Sequence, residues 1–296
     1  MKKTFFACFG LICIIGLTRC NTSETKTGKT TDTIASQGEN NTDGTDNWKI
    51  GVQMYSFRMF TFTEALDKVD SAGAKNIEGY WGQPLGGGMK DSFGIRMSSE
   101  SRANLKQLLQ KKGIHMVAMG VISPPTREEW QQAFDLAKEF GLSYITTEPR
   151  KDFWNMIDSM SGTYGIKIAI HEHPRPNPYW HPDSVLAAIK GHTNIGACAD
   201  LGHWARSGLN PVDCLKKLEG HIYGAHLKDI KTFNDTKAQD TVVGKGIIEF
   251  PPIFQELKRQ NFSGMLSIEH ESNWYHNMPG VREAVQFYNR QVASLK

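Results

Sequence analysis

Cysteine is scarce in this chain of 296 residues, and three of its five cysteines fall within the first twenty positions. Only Cys198 and Cys214 lie beyond them, so a small fold cross-linked by several disulfides is excluded. Both lie in apolar segments, and we expect them to be buried and unpaired. Hydrophobic residues make up 39% of the chain and charged residues 22%, which excludes a disordered or collagen-like protein.

Net charge is also low, at +3, and the N-terminus accounts for all of it. Lys2, Lys3 and Arg19 lie in the first nineteen residues, which contain no acidic residue. Without these three, 31 basic residues balance 31 acidic ones. From Trp48 onward the chain has 29 basic and 26 acidic residues, which gives little attraction for phosphates. A nucleic-acid partner is therefore not predicted.

The first nineteen residues are typical of an export signal, with two lysines followed by an apolar stretch at residues 4–17. That stretch is shorter than the roughly 20 residues that a bilayer span needs. The sequence Leu17-Thr18-Arg19-Cys20 resembles the lipobox of bacterial lipoproteins, in which the cysteine is lipidated. Arg19 departs from this pattern, so a plain cleaved signal or an uncleaved anchor stays an alternative to lipidation of Cys20.

Residues 20–47 are almost wholly small, polar or charged, with Ile34 as the single large apolar side chain. Such a segment cannot bury a core, and we expect a flexible linker there. Together, signal and linker predict an exported protein, periplasmic or anchored to the outer membrane, that contacts the membrane only through its N-terminal lipid.

Eight short apolar runs alternate with amphipathic segments after the linker, as is typical of parallel strands joined by crossover helices. The runs cover residues 50–56, 76–81, 115–122, 144–148, 166–173, 195–200, 222–228 and 264–270. Helical spacing of apolar residues occurs at 63–72, 99–111 and 127–140, and Pro211 begins a further helix. Eight such units in about 250 residues predict a single α/β domain, a (β/α)8 TIM barrel over residues 48–296.

A doubly wound open sheet is the alternative fold, and it would carry a glycine-rich phosphate turn after its first strand. Residues 55–57, at that position, include no glycine. Three consecutive glycines at 86–88 follow the second predicted strand, and we expect a flexible loop there rather than a phosphate site. The sequence therefore predicts no nucleotide cofactor.

Polar side chains at the ends of four strands indicate a metal site, since a TIM barrel builds its active site at that edge. Glu148, Asp200, His226 and Glu269 lie at the ends of strands four, six, seven and eight. Three converging carboxylates repel one another unless a cation binds between them. Their oxygen and nitrogen donors predict one divalent ion, Mn²⁺, Co²⁺, Mg²⁺ or Zn²⁺.

Proton transfer is the chemistry that this arrangement predicts. Glu148 and Glu269 come from opposite sides of the barrel and could serve opposite faces of a bound molecule. The period-two alternation of strand five points His171 and His173 inward. His173, His203 and Lys228 are candidates for an acid that protonates a departing oxygen.

Several motifs occur in a family's order, namely residues 50–57, Asp200-Leu201-Gly202-His203, His226-Leu227-Lys228-Asp229, Gly244-Lys245-Gly246 and Ser267-Ile268-Glu269. With Glu148, they make the chain from about Trp48 onward resemble the xylose isomerase-like TIM barrels, the broad sugar phosphate isomerase/epimerase family. The resemblance implies a sugar substrate, metal binding by Glu148, Asp200, His226 and Glu269, and substrate contact by His203. Strand five departs from the family, since His171-Glu172-His173 stands where Glu-Asn-His is usual.

Six side chains near the strand ends are expected to contact the sugar: His171, His203, Lys228, Glu78, Trp81 and Trp204. Because an exported protein meets free sugars, we expect a metal-dependent lyase or hydratase acting on a 3-keto-glucoside-type sugar or its glycal. A sugar isomerase or epimerase is the main alternative, and a carbohydrate-binding lipoprotein without chemistry is another. An endonuclease IV-like enzyme would need further metal ligands and a basic surface. The oligomeric state is not predicted.

Overall fold

Eight parallel strands close into a barrel in the computed structural model, which describes residues 45–295. The strands are Lys49–Gln53, Asn76–Tyr80, His115–Ile122, Tyr144–Thr147, Lys167–His171, Ile195–Asp200, Ile222–Leu227 and Met265–Ile268. Each pairs with the next along the chain, and the eighth pairs with the first. The predicted α/β barrel is confirmed, and every predicted strand occurs.

Helices cover the outside of the barrel and connect its strands. The α-helices are Phe62–Ala72, Ser99–Lys112, Arg127–Phe140, Trp154–Tyr164, Pro182–Ile189, Leu201–Arg206, Pro211–Lys217, Phe250–Arg259 and Met278–Ala293, and the 3-10 turns are Met54–Phe57 and Lys151–Phe153. The first helix begins with a capping box, in which Thr61 Oγ1 accepts the Glu64 N–H at 3.3 Å and Glu64 accepts the Thr61 N–H at 2.8 Å.

Two short antiparallel pairs stand outside the barrel: Pro84–Gly86 with Met89–Ser92, and Asp229–Ile230 with Asp240–Thr241. The prediction of a flexible loop at the three glycines is wrong, because the first pair is a hairpin. Gly86, Gly87 and Gly88 all have positive φ values, and they form the turn of a hairpin.

The core has two parts. Most buried apolar side chains lie between the strands and the helices, as the outward-facing Leu266 and Ile268 do. A smaller cluster fills the barrel interior and consists of Val117, Ala118, Tyr144, Ala169, Cys198 and Met265. Cys198 and Cys214 are both buried and unpaired, as the sequence predicts. Toward the carboxyl ends of the strands, the side chains that face the barrel interior are polar.

The predicted signal peptide, Cys20 and the linker up to residue 44 lie outside the described residues. Within residues 45–295, no helix combines the length and the apolar character that crossing a membrane requires.

Asp229 organises the loop between the seventh strand and the helix Phe250–Arg259. Its Oδ2 accepts the N–H groups of Gly244 at 3.0 Å and Gly246 at 2.7 Å. Its Oδ1 accepts those of Ile230 at 2.9 Å and Ile248 at 3.2 Å. A Cβ on Gly246 would stand 2.2 Å from Asp229 Oδ1, which explains the glycine in this motif. One buried carboxylate thus joins two motifs that are far apart in sequence.

Replacing Asp229 with alanine should lower the free energy of unfolding by about 2–4 kcal/mol, because four backbone N–H groups lose their acceptor. Guanidinium unfolding followed by circular dichroism measures this. Asp235→Ala is the matched control, since Asp235 is exposed and accepts one local N–H, from Lys237. Equal effects of the two substitutions would contradict the role given to Asp229.

Candidate metal centre

Strand register brings the polar side chains together at one end of the barrel. Asp200 on the sixth strand lies opposite His226 on the seventh, which lies opposite Ser267 on the eighth. Residues that pair across parallel strands point to the same face, so these side chains enter the barrel interior side by side. Glu269 follows the eighth strand and continues the inward alternation from Ser267.

Four buried side chains form the largest group of metal-ligand type among residues 45–295: His171, Asp200, His226 and Glu269. Each offers one nitrogen or oxygen atom, and these atoms all lie within 4.8 Å of one another. His171 Nε2 is 3.3 Å from Asp200 Oδ2. His226 Nδ1 is 3.6 Å from Asp200 Oδ2 and 2.9 Å from Glu269 Oε2. Three of the four predicted ligands are therefore in this group, together with His171.

Unsatisfied atoms in this group fit a cation. His226 Nδ1 and Glu269 Oε2 are buried, lie 2.9 Å apart and form no aligned hydrogen bond, whereas the unpartnered Nδ1 of His171 faces Glu148. Buried polar atoms normally have partners, so their convergence suits an ion that accepts lone pairs. Two imidazole nitrogens and two carboxylates match the preferences of Zn²⁺, Co²⁺ and Mn²⁺.

Lys228 supplies a positive charge to the same group. Its Nζ lies 3.0 Å from Glu269 Oε2, 3.4 Å from Asp200 Oδ2 and 2.6 Å from Glu271 Oε1. Although burial disfavours both charged carboxylates, Lys228 helps to hold the pKa values of Asp200 and Glu269 well below their usual range. A Cβ on Gly202 would stand 2.5 Å from Lys228 Cγ, so the glycine makes room for this lysine.

Glu148 lies outside the group of four and contacts it through His171, with Oε1 3.5 Å from His171 Nδ1. It forms a hydrogen bond with His173 Nδ1 through Oε1, and its Oε2 accepts from Asn177 Nδ2 at 2.8 Å. Burial opposes its ionisation, yet the neighbouring His171 and His173 rings hold its pKa well below the ordinary value. Burial likewise opposes charge on His171, whose pKa is nevertheless raised to about 9 by the nearby carboxylates of Asp200 and Glu148.

Two of the predicted substrate contacts lie too deep to meet a ligand. Glu78 is 0% exposed because two further strand residues follow it, and its Oε2 lies 2.9 Å from His226 Nε2. Trp204 is also 0% exposed and belongs to the core, because its position on the helix Leu201–Arg206 turns it inward. Trp81 is half-buried against Phe93.

His203 and Lys228, also predicted to contact substrate, are buried together. His203 Nε2 lies 3.1 Å from Lys228 Nζ, and His203 Nδ1 lies 3.0 Å from Arg206 Nη1. Burial, with the charge of Lys228, holds the pKa of His203 well below its usual value, so it stays neutral beside two cations. Of the three candidate acids, only His173 is exposed, with 46% of its side chain accessible.

Sequence reasoning missed Glu271 and Asn177. Glu271 contacts Lys228 and borders a polar cavity of about 520 Å³, which Arg206, Asp240 and Asn273 also line. It follows Glu269 by two positions, so the alternation of strand eight could have indicated it. Asn177 reaches Glu148 from an irregular loop, for which the sequence carries no periodic signal.

Aromatic side chains form one wall at the same rim. Tyr55 packs edge-on against Tyr80 at 4.9 Å and against Trp274 at 5.8 Å between ring centroids. The Arg58 guanidinium lies 4.1 Å from the centre of the Trp274 ring. All four side chains are at least partly accessible.

Comparisons with known proteins identify the family and the fold of the chain. An inosose dehydratase of Clostridium botulinum is 39% identical over 134 residues, which cover 40% of this chain and 45% of that protein. The chain thus spans about half the length of the curated relatives it matches. Among solved structures, an uncharacterized protein from Parabacteroides distasonis is 34% identical with a TM-score of 0.67, covering 82% of this chain and 99% of that one.

The IOLI protein, whose crystal structure holds a zinc atom, has a TM-score of 0.67 at 17% identity, covering 83% of this chain and 97% of that one, and shares the fold. Residues 66–291 match the family profile described as the xylose isomerase-like TIM barrel. The chain therefore belongs to the xylose isomerase-like TIM barrel family.

Proposed function

We propose that this protein is a divalent-metal-dependent carbohydrate lyase or hydratase that removes or adds water beside the carbonyl of a keto-sugar. The observation that carries the proposal is the accessible Glu148–His173 pair beside a buried group of metal-ligand type. The similarity to inosose dehydratases, whose name denotes loss of water, supports the same reaction class. A 3-keto-glucoside-type sugar or its glycal is the substrate we propose, in line with the expected export.

His171, Asp200, His226 and Glu269 would hold the cation, and the zinc atom of the IOLI protein supports a divalent ion. When bound, such an ion polarises a carbonyl oxygen and makes the neighbouring C–H group more acidic. The four side chains are buried, so water competes little for the ligand atoms.

Glu148 is the group we propose as the base. Its side chain is 17% exposed, which makes it more accessible than Asp200 or Glu269. Its lowered pKa keeps it ionised at neutral pH and therefore able to accept a proton from carbon. Asn177 and His173 hold its two oxygens and so fix the direction of the carboxylate.

His173 completes the elimination as the acid. The base removes the proton on carbon, the C–O bond breaks with the electron pair leaving on oxygen, and the Nε2–H of His173 donates its proton to form water. Nδ1 keeps its own proton in the hydrogen bond with Glu148, so after product release Nε2 regains a proton from solvent and Glu148 gives one up to it. Hydration follows the same steps in reverse.

An isomerase or epimerase is the alternative, and it would need a second base on the opposite face of the sugar. Glu269 occupies that side, but Lys228 and His226 already bind its carboxylate. A pair of acid and base on one side favours elimination over proton exchange between two faces.

The surroundings of the pair suit a sugar. Tyr55, Tyr80 and Trp274 offer aromatic surfaces that stack on the apolar faces of sugar rings. The cavity beside Glu271 offers hydrogen-bonding groups for hydroxyls.

Turnover of a 3-keto-glucoside should give a product that differs from the substrate by one molecule of water or alcohol. Mass spectrometry of reactions run in H₂O and in D₂O measures this. A product of unchanged composition that carries solvent deuterium would instead establish an isomerase or epimerase.

Glu148→Gln and His173→Gln should each lower kcat by about 10²–10⁴-fold, because each removes a proton-transfer group. The same assay measures the loss. Asp152→Asn is the control, since Asp152 is an exposed acid on a neighbouring loop that pairs with Arg150. An active Glu148→Gln enzyme would refute the assignment of the base.

Removal of the metal by a chelator should abolish activity, and Mn²⁺, Co²⁺ or Zn²⁺ should restore it. His171→Gln should lower the metal content of the purified protein, whereas Glu148→Gln should retain it, because His171 belongs to the group of four. Elemental analysis decides this. The reverse pattern would make Glu148 the ligand, as the family resemblance implies, and would displace His171.

A further inference from the structure

We propose that Glu78 is a positioning residue for the metal centre: its carboxylate binds the Nε2–H of His226 and so directs Nδ1 of that ring toward the cation. This inference rests on the metal dependence proposed above. It gives a role to a side chain that is too deeply buried to contact substrate.

The contact places a hydrogen-bond acceptor behind the His226 ring, on the side away from the group of four. Glu78 Oε2 lies 2.9 Å from His226 Nε2, and both side chains are 0% exposed. A carboxylate oxygen accepts, so Nε2 donates in this hydrogen bond. An imidazole that binds a cation through Nδ1 is neutral and keeps its one N–H on Nε2, and Glu78 favours that form.

Nδ1 of His226 faces the group of four. It lies 2.9 Å from Glu269 Oε2 and 3.6 Å from Asp200 Oδ2, and it forms no aligned hydrogen bond. The opposite tautomer would present an N–H to the same place and would exclude a cation. Carboxylates behind metal-binding histidines fix the tautomer in this way and commonly change metal affinity by about 10–100-fold.

Packing alone does not explain a glutamate at this depth. Its Oε1 has no partner, and Ser267 Oγ, at 3.5 Å, is the additional donor to Oε2. Burying a carboxylate with an unpaired oxygen costs stability, and an apolar side chain would avoid that cost. A role in orienting the His226 ring explains why a carboxylate, rather than an apolar side chain, is buried at position 78.

Glu78, Cys198 and His226 also lie close enough together to form a metal site of their own. Cys198, however, belongs to the apolar cluster in the barrel interior with Val117, Ala169 and Met265, which offers a cation no further ligand. A second metal per chain, lost on Cys198→Ala, would favour that site and overturn our inference.

The test measures Zn²⁺ affinity by competition with a chromogenic chelator for the wild type, Glu78→Leu and Glu78→Gln. Glu78→Leu should weaken binding by about 10–100-fold. Glu78→Gln should weaken it less, since its amide oxygen can still accept from Nε2. Glu172→Gln is the matched control: Glu172 is equally buried near the centre and accepts the Asp200 N–H, but forms no hydrogen bond with His226.

The tautomer gives an independent readout. Nitrogen-15 NMR of the Zn²⁺-loaded wild type should show the proton on Nε2 of His226, with a chemical shift that changes in Glu78→Leu, and metal bound at Nε2 with the proton on Nδ1 would overturn the inference. Unchanged Zn²⁺ affinity in both Glu78 variants would also overturn it, while the proposed metal function would stand. A wild type that binds no divalent ion would refute the metal function itself. Guanidinium unfolding checks that each variant is folded.

Discussion

Compensation of buried negative charge is the constraint on which the polar end of this barrel depends. Asp200, Glu269 and Glu271 all approach the ammonium group of Lys228, which is 1% exposed. Without that charge, burying the carboxylates of Asp200 and Glu269 so close together would cost on the order of several kcal/mol per ion. The repulsion that the sequence indicates is therefore relieved partly within the chain itself, and Gly202 makes the space in which the lysine lies.

The barrel and three of its four clustered polar residues could be predicted because they depend on short-range patterns. Runs of Ile, Val and Ala indicate strands, and a period of two separates the faces of each strand. Asp200, His226 and Glu269 lie at or near strand ends, where a parallel barrel must bring its side chains together. For these residues, the position along the strand determines the place of the side chain in the barrel.

Depth and orientation could not be predicted, because both depend on neighbours that are distant in sequence. Glu78 lies only two residues before the end of its strand, yet it is covered from above by its partner His226. Trp204 faces the core because of the direction in which its helix leaves the sixth strand. Glu148 turns toward His173 and Asn177, which belong to an irregular segment that no periodicity describes.

Asp229 affects which chemical groups can bind at the loop that contains Gly244, Gly246 and Ile248. The N–H groups of Gly244, Gly246 and Ile248 converge as they would around a phosphate, but the carboxylate of Asp229 already occupies them. An anionic group that approached this loop would find its donors taken and a negative charge behind them. The side chain of Asp229 thus takes the place that a phosphate would have in such a loop, and these N–H groups are not free to bind a phosphate group of a ligand.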